Sequence, residues 1–265
     1  LVKLYEIPAG WGDDSLSKFQ DSAIRNEMWS HSQKSTFNQL ASECDELIYN
    51  SVTKAAPKNK SQAGDDVLLF VNAHNHFRAA ARLCLSGQFL PVYPTARASL
   101  ETAVYGWALS TNKNLVEQWL NKPKAAEWEK LKAWNKTFSF SALANSIGEV
   151  ELPLKESLKH LHQIAIDFGG HPNKAALYTN LVRIPDEDLD LYTIGYIHQE
   201  GKLLYFTSSF LIEIAIGNLL LIKMAHPNIV QEGDFAAKYN ALAIKAKEFQ
   251  NYAYGEMGWA SRLTD

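Results

Sequence analysis

Apolar residues recur along most of this chain at the three-to-four-residue spacing of amphipathic helices. After an irregular start marked by Pro8, Gly10 and Gly12, Ser15 is placed to cap a helix running to about Ser30. A second helix follows Ser35, with Phe37, Leu40, Cys44, Leu47 and Ile48 on one stripe. The Lys/Pro/Gly/Ser-rich stretch from Ala55 to Asp66 reads as a surface loop. A third helix opens at Asp65 and Asp66, whose charge suits a helix amino end, and stops at Gly87. A fourth begins around Pro91 to Thr95, since prolines are tolerated in a first turn, and runs to Leu109.

Shorter helices are expected near 113–121, 123–136 and 139–147, and another from Leu154 to Phe168, ended by Gly169 and Gly170. The stretch 178–198 breaks the helical pattern. Its Tyr-, Thr-, Ile- and Leu-rich part, Leu189 to Ile197, suits a small β-hairpin. Leu203 to Met224 is apolar on all sides, as a buried central helix is. Its length raises the question of a membrane span. Ser208, Ser209, Glu213 and Asn218 cross its middle, however, and a carboxylate at mid-bilayer costs about 2.5 kcal/mol or more. A last amphipathic helix covers about 232–253, and the tail with Tyr252, Tyr254 and Trp259 is too aromatic to float free. The fold class expected is all-α: one helical domain over residues 1–265, a multi-helix bundle around a central apolar helix.

Composition narrows the function only by exclusion. A formal net charge of −3 offers no global attraction to nucleic acid or anionic lipid. Cys44 and Cys84 are the only cysteines, which makes neither a disulfide framework nor a zinc site and fits a reducing compartment. With no basic start followed by an apolar run in the first thirty residues, a cytoplasmic location is expected.

Candidate chemistry comes from polar residues on or beside apolar helical faces. On the third helix Phe70, Ala73, Phe77, Ala80 and Cys84 form the core face, and His74, Arg78 and Arg82 stack beside it at i, i+4, i+8. That stripe suits an anion or a carboxylate from a neighbouring helix; a solvated basic edge is the commoner arrangement. On the fourth helix Arg97 and Glu101 share the side of Leu100, Val104 and Ala108, either as an ion pair fixing register or as part of a polar pocket. Glu213, in so apolar a helix, needs a partner, and Arg97 or the stripe has suitable chemistry. His171 and Asn173 follow Gly169-Gly170 and flank Pro172, which would hold an imidazole at a helix end. No metal or cofactor is expected: His74/His76 and His160/His162 point to different sides of their helices, and nucleotide-binding glycine loops are missing.

Two resemblances accompany these residues. Arg25-Asn26 followed by His31 fits the loose Arg/His signature of HEPN-type ribonucleases, which implies metal-independent RNA cleavage at a homodimer interface. The run from His76 to Gly87 and the Ala96–Ala103 segment, with His171-Pro172 beyond, resemble an uncharacterised group of bacterial all-helical proteins. That likeness implies a helical fold and a shared polar cluster. The leading expectation is a module binding a small anionic ligand or a protein partner through Arg97, Glu101, His171 and Glu213, with the third-helix stripe. A HEPN-like ribonuclease is the alternative, and a purely structural role for the charges is the third.

Overall fold

The computed structural model describes residues 7–33, 35–56, 64–169, 178, 181–184, 191–198, 201–231 and 234–257. The chain is an all-α multi-helix bundle. Its helices are α1 (Ser15–Ser32), α2 (Thr36–Ala55), α3 (Asp65–Leu85), α4 (Phe89–Thr111), α5 (Lys113–Leu120), α6 (Trp128–Thr137), α7 (Phe140–Gly148) and α8 (Leu152–Gly169). They continue with α9 (Lys202–Ala225), the single turn α10 (Asn228–Gln231) and α11 (Phe235–Met257). Between α8 and α9, β1 (Leu181–Ile184) and β2 (Leu191–Ile194) pair antiparallel, with Leu181 opposite Ile194.

Several element ends differ from the sequence pattern for local reasons. Asp14, not Ser15, caps α1: its carboxylate accepts from the N–H groups of both Leu16 and Ser17, and satisfies two donors that a hydroxyl would share less well. Ser35 caps α2 by accepting from the Asn38 N–H. α4 starts at Phe89, before its prolines, and so carries Pro94 within the helix.

α4 packs along α3 and against α8 and α9, while α9 also meets α2 and α11. Phe70, Phe77, Leu100, Leu158, Phe210 and Leu211 meet in the interior, all shielded from solvent. α9 is long and apolar enough to cross a membrane by length and composition, yet 78% of its apolar window is buried against its neighbours. Its apolar surface is therefore used inside the bundle. The polar residues of α9 are placed with care. Asn218 Nδ2 donates to Ser99 Oγ at 2.9 Å, and Ser99 Oγ donates to the Ala73 carbonyl at 2.7 Å. This ladder ties α9, α4 and α3 together in a buried layer, in which Asn218 Oδ1 has no hydrogen-bond partner among the described residues.

Candidate functional site

The ionic residues singled out by pattern fall into separate pairs. Asp45 of α2 accepts from His74 Nε2 at 2.7 Å and from Arg78 through Nε at 2.6 Å and a second guanidinium nitrogen at 3.0 Å. Arg78 also lies over the Tyr49 ring, 5.8 Å from its centre. Burial works against the Asp45 charge, but the hydrogen bonds and charges of Arg78 and His74 outweigh it and hold the carboxyl below its ordinary range. Burial lowers the His74 pKa in turn, against the pull of Asp45. Arg82, the third member of the stripe, pairs with Glu27 of α1 at 3.1 Å on an exposed surface. The stripe thus does meet carboxylates, from two different helices.

Arg97 Nε donates to Glu101 Oε1 at 2.7 Å, and His162 Nε2 of α8 meets the same oxygen at 2.7 Å. The His162 imidazole lies flat on Phe140, with ring centres 3.9 Å apart. Burial opposes the Glu101 charge, yet hydrogen bonds from His162 and Arg97 dominate and lower its pKa. Glu213 finds neither Arg97 nor the stripe. Ser209 Oγ donates to it at 3.2 Å, Gln250 of α11 hydrogen-bonds to it, and burial pushes its carboxyl up to about 7.

Among the described residues no hydrogen bond or ion pair joins these sets. Arg97 and Glu101 belong with α8, Glu213 with α11, and His74 and Arg78 with α2. His171 and Asn173 lie outside the described residues. Arg25 bonds Asp21 at 2.6 Å on the outer face of α1, and His31 Nδ1 meets Asn38 Nδ2 of α2 at 3.1 Å. Among the described residues no group of three or more His, Cys, Asp or Glu side chains is arranged to hold a metal ion.

The Arg97–Glu101–His162 set has the geometry of a tertiary clamp between α4 and α8. Glu101→Leu should remove the acceptor shared by two half-buried donors and lower stability by about 1–2 kcal/mol, reduced by partial solvent access. Thermal unfolding reads this directly, and an unchanged Tm contradicts it.

Space for a ligand lies elsewhere. A cleft of about 610 Å³ opens where the carboxyl end of α1, the amino end of α2, the end of α3, the start of α9 and the middle of α11 meet. Trp29, Phe37, Leu204, Tyr205, Phe249 and Tyr252 supply its apolar walls, and among the described residues no Asp, Glu, Lys or Arg lines it. Polar groups edge the space: Gln33, Thr36 and His198 face it, as do Ser30 and Ser208. The two serine protons are already committed, to the carbonyls of Leu85 and Leu204. His198 stacks on Phe89 with ring centres 5.9 Å apart, and its backbone N–H donates to the Gly87 carbonyl at 3.0 Å. Its Nε2 is enclosed with no hydrogen-bond partner among the described residues.

The described lining residues come from five segments and carry no ionic signature, so little in the local sequence pattern points to the cleft. The recurring aromatic positions near the carboxyl end, Phe249 and Tyr252, were its faintest signal. No known protein family matches the chain, and no curated protein or solved structure is detectably similar to it.

Proposed function

We propose that this protein is a helical ligand-binding module. Its cleft takes a small molecule with a flat apolar body and an anionic or hydrogen-bonding end. The observation that carries this reading is the aromatic-walled concavity of about 610 Å³ at the junction of five helices, whose described lining holds no Asp, Glu, Lys or Arg. Its volume falls within the roughly 300–1,000 Å³ of small-molecule sites. Trp29, Phe37, Tyr205, Phe249 and Tyr252 offer faces and edges for stacking.

The preference for an anionic end follows from α2. Ser35 and Thr36 bring the amino end of a 20-residue helix to the wall. With the Asn38 N–H capped by Ser35, the Thr36 and Phe37 N–H groups are the first-turn donors without an intrahelical acceptor, and the positive end of the helix dipole favours negative charge. The ionic clusters are less suited to capture a ligand, because Asp45 and Glu101 already satisfy the cations around them. They read better as ties between helices.

Anilinonaphthalene sulfonate, which joins aromatic rings to one anionic group, is a suitable probe. Titration should give saturable fluorescence enhancement with a stoichiometry near one. Leu204→Trp, which fills the cleft from the first turn of α9, should weaken binding by about tenfold or more, equivalent to about 1.4 kcal/mol. Tyr252→Ala removes a half-exposed wall and should weaken binding several-fold at unchanged Tm. Equal affinity in the unaltered protein and both variants would place the probe outside the cleft and end this reading.

A further inference from the structure

Resting on that reading of the cleft, we infer that Glu213 governs how firmly α11 is seated, so that ligand capture is coupled to proton uptake at this carboxyl. The coupling begins with where α11 places its side chains. Phe249 and Tyr252 form cleft walls, and Tyr205 of α9 meets Tyr252 edge-on with ring centres 5.5 Å apart. In the same two turns, Gln250 hydrogen-bonds to Glu213 and also donates to Tyr254 Oη at 3.2 Å. One stretch of helix therefore both closes the cleft and covers the carboxyl. It cannot release one without disturbing the other.

The surroundings of Glu213 suit a neutral acid better than a carboxylate. On its own helix it meets Ser209; from α11 it meets Gln250, Tyr254 and the charge of Lys247. No ion pair forms with Lys247, and among the described residues no charged group from α2, α3, α4 or α8 acts on Glu213. Ser209 and Gln250 can serve a protonated carboxyl as well as an ionised one, because a carboxylic acid donates and accepts. An ionised carboxylate here keeps its charge under a helix with no cation in contact, which is unfavourable.

The direction of the pH effect follows from the raised pKa. Below the ordinary carboxylate range Glu213 is protonated whether α11 is seated or loosened. As pH rises towards about 7, the loosened state has released its proton while the seated state still holds one. The seated state is thereby penalised progressively, and above about 7 the full penalty applies. Seating, and with it the cleft, is favoured on the acid side of neutrality.

The test is titration with anilinonaphthalene sulfonate at about pH 5.5 and about pH 8, values that bracket the raised pKa while the sulfonate stays ionised at both. The unaltered protein should bind about tenfold more weakly at the higher pH, and Glu213→Gln should bind tightly at both. Amide exchange along α11, corrected for intrinsic rates, should show protection falling with pH in the unaltered protein only. Binding that is present but insensitive to pH overturns the coupling and leaves the cleft reading standing. A pH dependence that survives in Glu213→Gln also overturns it, because the response then does not come from this carboxyl. No binding at either pH removes the cleft reading and this inference together. The exchange measurement on the unaltered protein still decides whether α11 responds, even if the variant folds poorly, and unchanged protection overturns the proposal.

Discussion

Tyr93→Ala is expected to lower folding stability by about 3–5 kcal/mol, the range for removing a large buried aromatic ring. Tyr93 is fully buried at the α4–α8–α9 junction. Its ring centre lies 5.1 Å from that of Phe168, 5.0 Å from Phe210 and 6.3 Å from Phe206. Its hydroxyl pairs with Thr207 Oγ1 at 2.9 Å in a buried setting. Truncation to alanine opens a cavity among three aromatic rings and strips Thr207 of its partner. Both effects have the same sign. Thermal unfolding should register a fall on the order of 10 °C or more for a chain of this size. Tyr93→Phe keeps the ring and should cost only about 1–2 kcal/mol for the lost hydrogen bond. Equal losses in the two variants would show that the ring packing contributes nothing, contrary to the contacts described.

Gly87→Ala is expected to cost about 3 kcal/mol or more and to damage the cleft as well. Gly87 ends α3 with φ near +79°. The Gln88 N–H returns to the Leu83 carbonyl at 2.9 Å and the Gly87 N–H to Cys84 at 3.0 Å, the paired bonds of a Schellman helix stop. A left-handed conformation costs an alanine about 1–2 kcal/mol. The larger obstacle is contact. A Cβ on Gly87 would collide with the His198 carbonyl and stand 2.6 Å from Asn26 Nδ2 and 2.9 Å from the His198 backbone nitrogen. Backbone cannot yield as a flexible side chain does, so the segment carrying His198 has to move. Because His198 lines the cleft, probe affinity should fall by about tenfold together with Tm. Gly12→Ala is the control: φ is near +92°, but nothing lies within 4 Å of the added carbon. It should show the conformational cost alone, with binding unchanged. If the two alanine variants behave alike, close packing at Gly87 is not what matters there.

Helices were legible in the sequence wherever apolar spacing alone decides burial. Phe70, Ala73, Phe77, Ala80 and Cys84 are all buried, as their shared stripe on α3 requires. The all-round apolar character of Leu203–Met224 likewise foretold its central place. Gly87 was readable as a helix stop because local backbone chemistry dictates it. Partner choice was not legible, since it depends on how helices pack. Asp45 precedes no motif, and nothing local distinguishes His162 from His160. Yet packing of α2 on α3 and of α8 on α4 brings Asp45 to His74 and His162 to Glu101. Charge alone pairs Arg97 with Glu213, whereas the fold gives Glu213 the neutral Ser209 and Gln250. The cleft was hidden more deeply. Trp29, Phe37, Tyr205 and Tyr252 lie on four helices, and no local spacing in the sequence links one to another.

The most direct test of the account is a crystal structure of the protein grown with anilinonaphthalene sulfonate. The probe should lie between Trp29, Phe37, Tyr205 and Phe249, with its sulfonate towards the amino end of α2. Density for the probe only on outer faces of the bundle, with the cleft holding solvent, would contradict the assignment of this protein as a ligand-binding module.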